Sequence, residues 1–248
     1  MSMESQVIET AGRLAMARQV TVLTGAGVSA ASGVPTFRGA QGLWKSYRAE
    51  ALATPEAFGR DPRLVWEWYD WRRQMIARCR PNRGHEVLSE WSRRVPGFTL
   101  VTQNVDGLHE LAGTERVIRI HGSIWEVRCT AACREPWEDR RVPIRDLPPH
   151  CDCGALLRPG VVWFGEAIPE DALGAAARSA DCDVFLSVGT SSLVWPAAGL
   201  IQDAARHGAT TIEINPERTA FSEAVDFAIQ GPAEDLLERI DRLLDGSS

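Results

Sequence analysis

Short runs of apolar and β-branched residues recur along the chain, and each breaks off into glycine or polar residues. They are Gln-Val-Thr-Val-Leu-Thr at 19–24, Gly-Phe-Thr-Leu-Val-Thr at 97–102, Arg-Val-Ile-Arg-Ile at 116–120, Asp-Val-Phe-Leu-Ser-Val at 183–188 and Ala-Thr-Thr-Ile-Glu-Ile at 209–214. Runs of this kind predict β-strands. Segments with helical spacing separate several of them: an amphipathic stretch ending near Arg18, then 170–180, 196–208 and a last helix that starts at Pro232 and closes at Asp245-Gly246. Strands alternating with helices predict an α/β fold, a parallel sheet with helices on both faces. In open sheets of this kind ligands sit beyond the carboxyl ends of the strands. The polar residues that follow each strand are therefore the place to look for chemistry.

Two stretches break the alternation. Residues 38–84 are rich in Trp and Arg and carry helical spacing, and residues 124–163 hold four clustered cysteines and several prolines. Both read as insertions that build a smaller second domain, leaving 1–37, 85–123 and 164–248 for the sheet domain. The segment Val65-Trp-Glu-Trp-Tyr-Asp-Trp-Arg-Arg73 places Tyr69 and Arg72 three residues apart, on one face of a helix. The plain alternative is an Arg on a solvated face with Tyr and Trp as core, and Arg73 and Arg78 read as solvated.

Of 248 residues, 44% are apolar and 24% charged, an ordinary globular composition. The 27 basic and 33 acidic residues leave a formal net charge of −6. Such a balance argues against direct nucleic-acid binding and gives no reason to invoke anionic membranes. No run of about 18 apolar residues is present, and the first residues form an amphipathic helix rather than a basic segment followed by an apolar one. A cytoplasmic protein without a membrane span is the expectation.

The six cysteines are Cys79, Cys129, Cys133, Cys151, Cys153 and Cys182. Four of them follow the pattern C-x₃-C-x₁₇-C-x-C. In a reducing compartment such a cluster points to metal before disulfides. Thiolates of Cys129, Cys133, Cys151 and Cys153 can enclose zinc tetrahedrally, a closed site that holds structure rather than performing chemistry. The tight C-x-C pair leaves open that His150 replaces one cysteine, and an unmetallated or disulfide form is the other alternative. Cys79 and Cys182 read as packed residues.

After the first strand comes Thr24-Gly25-Ala26-Gly27-Val28-Ser29. Glycines there let backbone approach a pyrophosphate, although a tight turn without ligand would look the same. A dehydrogenase fingerprint wants a third glycine where Ala30 stands, a replacement that fingerprint sometimes allows. Pro35 and Arg38 follow so soon that any helix must be very short. No acidic residue closes a second strand about 20 residues on, so the context departs from a hydride-transfer enzyme.

The residues 25–39, Gly-Ala-Gly-Val-Ser-Ala-Ala-Ser-Gly-Val-Pro-Thr-Phe-Arg-Gly, resemble the NAD-binding signature of the sirtuin family. So do Thr102-Gln-Asn-Val-Asp-Gly-Leu-His109, His121-Gly122, Gly189-Thr-Ser191 and Ile214-Asn-Pro216, in the family's order and over nearly the whole chain. The resemblance implies a Rossmann-type domain and a small domain made of a helical insertion with the acyl pocket and a zinc ribbon. It implies an NAD-dependent protein-lysine deacylase in which NAD is co-substrate and zinc is structural. The products would be nicotinamide, free lysine and O-acyl-ADP-ribose.

His121 suits the base that such chemistry needs: it follows a strand, and histidine titrates near neutrality. His109 reads as structural, and His85 and His207 as surface or helix residues without assignment. By resemblance NAD meets Gly25, Ala26, Gly27 and Ser29 of the glycine turn, then Pro35, Phe37, Arg38 and Trp44. Gln103, Asn104, Val105 and Asp106 reach its nicotinamide end. Gly189, Thr190 and Ser191 meet phosphate or ribose, and Asn215, Pro216, Glu217 and Ala233 the adenosine end.

Tyr69 and Arg72 resemble the acyl pocket of the subgroup (class III) that removes succinyl and malonyl groups, where a guanidinium pairs with the acyl carboxylate. Val161-Val-Trp-Phe-Gly-Glu166 and Ser192-Leu-Val-Trp195 resemble the two segments that sandwich an acyl-lysine peptide as a third strand, which assigns Val162, Trp163, Phe164, Gly165 and Val194 to substrate. The implied partners are acylated lysines on many proteins, with a monomer favoured and the oligomeric state open. Competing readings are an ADP-ribosyltransferase or NAD glycohydrolase on the same scaffold, a non-catalytic zinc-ribbon module, and a Rossmann oxidoreductase.

Overall fold

A computed structural model describes residues 1–35, 43–44, 47–95, 97–191 and 194–246. Its elements in chain order are α1 (Met3–Met16), β1 (Gln19–Thr24), a 3-10 turn (Ala26–Ser29), β2 (Leu43–Trp44), β3 (Tyr47–Arg48), α2 (Ala49–Leu52), α3 (Pro55–Arg60), α4 (Pro62–Ile76), α5 (Arg83–Arg94), β4 (Gly97–Thr102), α6 (Leu108–Leu111), β5 (Val117–Arg119), β6 (Gly122–Cys129), β7 (Trp137–Glu138), β8 (Leu157–Val161), α7 (Glu170–Ser179), β9 (Val184–Val188), α8 (Leu200–Arg206), β10 (Thr210–Asn215), β11 (Phe227–Gln230) and α9 (Ala233–Asp245). The very short helix expected after the first strand is the single 3-10 turn.

Six strands form a parallel sheet in the order β11-β10-β9-β1-β4-β5. The chain builds outward from β1 in one direction, returns, and builds outward in the other. This is the doubly wound order, and its reversal lies between β1 and β9, where the sheet opens a crevice at the strand ends. The sheet and its helices are the α/β Rossmann-type layers the sequence predicts. The edge strand β11 was not among the expected strands: its Phe-Ala-Ile-Gln is too short to show a period.

Side-chain alternation divides the sheet's two faces. Val20 and Val22 of β1, with Val184, Leu186 and Val188 of β9, pack against Val87, Leu88 and Trp91 of α5 and Leu236, Leu237 and Ile240 of α9. Leu23 and Phe185 face the other way, onto Ala176 of α7 and Leu200, Ile201 and Ala204 of α8. A period of two along the strands meets a period of 3.6 along the helices, so each face is sealed by its own layer.

A separate core joins α2–α4 to the antiparallel sheet β7-β6-β8, with Val65, Trp66, Tyr69 and Ile76 against Ile124, Val127, Leu157, Val161 and Trp163. Here Arg73 corrects the expectation of solvation: it is fully buried. Its Nε donates to the Ile124 carbonyl at 2.7 Å, its Nη1 lies 3.7 Å from Asp139, and its guanidinium sits 5.5 Å from the Trp66 ring centroid. Positions 66, 69, 73 and 76 form one stripe of α4, and β6 covers that stripe. Burial lowers the guanidinium to about 10 despite Asp139, so it remains charged at neutral pH. Arg78 is exposed, as expected. Among the described residues no helix is long and apolar enough to cross a membrane.

Candidate active site

The loops that leave β1 and β9 touch at the crevice. The Gly25 amide donates to Val188 at 3.1 Å and the Gly27 amide to Gly189 at 2.7 Å. A Cβ on Gly27 would lie 2.7 Å from Gly189 Cα, and one on Gly189, at φ +62°, only 2.4 Å from the Val28 nitrogen. The glycines therefore serve a close backbone approach as well as a turn. Ala26 is half-buried in the same turn. Thr190, buried, accepts from Gln103 Nε2 at 2.8 Å, which ties the loop after β4 to the loop after β9; Ser191 follows, half-buried. Asn215 is buried at the end of β10 and donates to the Glu217 carbonyl at 2.6 Å, while Pro216 and Glu217 are exposed. Ala233 is the buried first residue of α9. These groups share one edge of the sheet. Phe37, Arg38 and the Trp44 side chain lie outside the described residues.

Beneath this edge runs a buried polar network. Asp106 Oδ2 accepts from Ser29 Oγ at 2.8 Å, and Asp106 Oδ1 from the Leu108 amide at 2.9 Å. Ser29 Oγ in turn accepts from Asn104 Nδ2 at 3.2 Å and lies 3.3 Å from His85 Nε2. The Asn82 amide donates to His85 Nδ1 at 3.3 Å, so the imidazole carries its proton on Nε2 and gives it to Ser29. Asn104 Nδ2 also donates to the Gly25 carbonyl at 3.0 Å. Val105, between the two polar residues, is half-buried and packs against the second core. His109 Nε2 meets Thr24 Oγ1 at 2.9 Å, and the rings of His85 and His109 lie 4.8 Å apart. Burial holds His85 down to about 4 and His109 well below its ordinary value, the neighbouring His85 adding to the latter. Both are neutral. Burial raises the Asp106 carboxyl against the bonds it accepts from Leu108 and Ser29.

His121 follows β5 after one residue, Ile120. Its Nδ1 lies 3.1 Å from the Gln103 carbonyl. A carbonyl can only accept, so Nδ1 carries the proton and the Nε2 lone pair is free. Burial lowers its pKa, opposed by that hydrogen bond. The His121 carbonyl accepts from the Val162 amide at 3.0 Å, which starts the segment 162–166 beside the imidazole. Val162 is half-buried, Trp163 buried and Phe164 exposed, and Gly165 takes φ +85°. Val194 is half-buried and Trp195 exposed across from them in sequence; Ser192 and Leu193 lie outside the described residues.

Tyr69 and Arg72 do meet on one face of α4. The Arg72 guanidinium lies 5.6 Å from the Tyr69 ring centroid. Arg72 lines a pocket with Val34, Pro35, Trp71, Met75 and Ile76. Among the described residues it is the single charged group in that lining. Burial lowers its pKa, with Tyr69 and Asp106 opposing.

In the ribbon, sulfur–sulfur distances are 3.4 Å for Cys129–Cys133 and 3.5 Å for Cys129–Cys153 and Cys133–Cys151, with all four atoms within 4.8 Å of one another. Zinc bound by four thiolates at about 2.3 Å sets tetrahedral edges of about 3.8 Å, so the four cysteines fit the ion. His150 is exposed and stands outside the set, which settles the C-x-C alternative in favour of cysteine.

A profile of the Sir2 family matches residues 25–196. The chain belongs to the Sir2 family. It is 51% identical over 223 residues to an NAD-dependent protein deacylase of Aquifex aeolicus (strain VF5), covering 89% of this chain and 93% of the relative. A solved Sir2 homolog–NAD complex superposes with a TM-score of 0.92 at 44% identity, over 96% of this chain and 94% of the other. A Sir2 bound to acetylated peptide superposes at 0.85 with 26% identity, over 100% and 99%.

In this Sir2 chain His85 lies on a helix, α5, as one of its two expected placements has it, but it is not a surface residue: the imidazole is fully buried in the network of Ser29 and Asp106. A signal was available. His85 is three residues before Leu88 on a helix whose Asn82 cap it helps to close, so it shares the buried stripe. His109 is buried, consistent with a structural role, and His207 is exposed, as expected. Cys79 is buried and Cys182 half-buried, in keeping with packed thiols.

Proposed function

We propose that this Sir2-family chain is an NAD-dependent protein-lysine deacylase that favours succinyl- and malonyl-lysine over acetyl-lysine. The observation that carries the acyl preference is the pocket of Val34, Pro35, Trp71, Met75 and Ile76, in which Arg72 is the one charged group among the described residues. A guanidinium in apolar surroundings gains most from a ligand that brings a carboxylate. The glycine cradle, Gln103–Thr190, Asn215 and Ala233 support NAD along the strand ends. Bound there, NAD would supply a ribose carbon that bonds to the acyl oxygen as its bond to nicotinamide breaks, and the acyl group would leave lysine as O-acyl-ADP-ribose. Asn104 and Asp106 would hold the nicotinamide end, fixed from below by Ser29. His121, protonated on Nδ1 by the Gln103 contact, would remove a proton at Nε2. Val162–Gly165 and Val194 would pair with the peptide backbone, which gives affinity with little sequence preference and suits acylated lysines on many proteins. The four-thiol zinc site, which calls for reduced cysteines, supports a cytoplasmic enzyme.

Incubation with NAD and one peptide carrying acetyl, succinyl or malonyl lysine tests the reading by product mass and by kcat/KM. Free lysine peptide with O-acyl-ADP-ribose is the expected outcome, with the acidic acyl groups ahead by about ten- to a hundredfold, the worth of a charged hydrogen bond. Arg72→Met should remove that advantage. A peptide gaining the mass of ADP-ribose would overturn the deacylase reading, and an acetyl preference the acyl one.

A further inference from the structure

Two parts of the proposed substrate site, on elements far apart in sequence, share one hydrogen bond. Trp163, in the segment that follows β8, donates its indole Nε1–H to the Tyr69 hydroxyl of α4 at 2.9 Å, a contact between residues 94 positions apart. The Arg72 guanidinium lies 5.6 Å from the ring centroid of the same tyrosine. An indole N–H and a guanidinium donate and cannot accept. With the indole donor directed at the phenolic oxygen, the phenolic proton is left to another group, which must be an acceptor. A carboxylate at the end of an acyl chain is such an acceptor.

The indole is itself held from several sides. The Arg158 guanidinium lies 3.7 Å from its ring centroid, and Phe58 packs 5.2 Å away. Arg158 forms a two-pronged ion pair with Glu166, at 2.6 and 2.8 Å. Glu166 Oε2 accepts from the Trp163 amide at 2.9 Å, and the Glu166 amide donates back to the Trp163 carbonyl at 3.0 Å. A single ion pair thus fixes both the backbone and the ring of Trp163, and a cation on the ring face stabilises that placement.

We propose that Trp163 is a specificity-determining positioning residue: its indole N–H turns the Tyr69 hydroxyl so that the phenolic proton points at an acyl carboxylate, and the Arg158–Glu166 pair holds the indole in register. The inference rests on the reading that acidic acyl groups are the preferred substrates. Burial pushes the Tyr69 phenol up to about 12, so it is a proton donor throughout the working range. The arrangement also couples the peptide segment to the acyl pocket, since the residue flanked by Val162 and Phe164 is the one that orients Tyr69.

The test is a double-mutant cycle read as the ratio of kcat/KM for succinyl- over acetyl-lysine on one peptide. Trp163→Phe keeps an aromatic ring and deletes the N–H. The ratio should fall about tenfold, the low end for one hydrogen bond to a charged group, with the loss in KM for the succinyl peptide more than in kcat. In a Tyr69→Phe background the same substitution should leave the ratio unchanged, because the hydroxyl it positions is gone. Packing damage alone would add in both backgrounds. Arg158→Gln, which keeps the indole and removes the cation over it, should lower the ratio two- to threefold and carries the test if Trp163→Phe does not fold. A ratio that stays within twofold of wild type in Trp163→Phe, or falls again on top of Tyr69→Phe, refutes the positioning role while the acyl reading stands. A wild-type enzyme that prefers acetyl-lysine refutes the acyl reading and this inference with it.

Discussion

Replacing His121 by Ala removes the group best placed to take a proton at the cleft. The Nδ1–H is committed to the Gln103 carbonyl at 3.1 Å, so one nitrogen alone, Nε2, is free to act. Burial lowers the imidazole below its ordinary value, with the Gln103 bond opposing. A lowered pKa means the proton leaves at lower pH, so the neutral base is more populated at pH 7 than in an ordinary histidine of pKa about 6.5. A positioned base contributes about 10²–10⁴ in rate, or roughly 3–5 kcal/mol in the barrier. His121→Ala should lower kcat by that factor. NAD affinity should change by no more than about twofold, because the lost interaction belongs to the transition state. His121→Gln, which keeps an amide donor for Gln103, should lose as much, which separates proton transfer from simple positioning. Steady-state kinetics with an acylated peptide, with NAD binding followed by titration calorimetry, measure both. The acid limb of the wild-type kcat/KM should have its midpoint below about 6.5, the value of an ordinary histidine. More than a tenth of wild-type kcat in the Ala variant, or an acid limb whose midpoint lies above about 6.5, would refute the assignment.

Cys129→Ser or Cys151→Ser should release zinc, since four thiolates within 4.8 Å leave no substitute ligand in the set; metal analysis and thermal melting check it, and unchanged melting of a metal-free protein would count against a structural ion. Zinc contributes on the order of 10 kcal/mol in small modules, so the ribbon should lose its ordered fold before the parallel sheet does. Arg73→Met should destabilise the protein by about 3 kcal/mol, because it removes a donor to the Ile124 carbonyl and a buried partner of Asp139. Chemical denaturation measures that loss, and a change under about 0.5 kcal/mol would place Arg73 with solvated surface residues.

What the sequence determined by itself was local or compositional. Five of the sheet's strands were visible because each is a β-branched run that breaks into glycine, and the polar residues after β1, β4, β5, β9 and β10 do gather at one sheet edge. The zinc set was visible because cysteine spacing is itself the geometry of a chelate. The order of the motifs identified the family before any contact was known. Other features were decided only by tertiary structure. β11 is a strand because β10 offers it a partner along Ile212–Asn215, not because four residues declare a period. Arg73 is buried because β6 and Asp139 close over the side of α4 on which it lies; the same charge on an uncovered face would be solvated. His85 becomes part of the site because Ser29 and Asp106 arrive from two other loops. Trp163 and Tyr69 find each other across 94 positions. Burial and hydrogen bonding depend on which surfaces meet, and a chain read one residue at a time carries the surfaces but not their meeting.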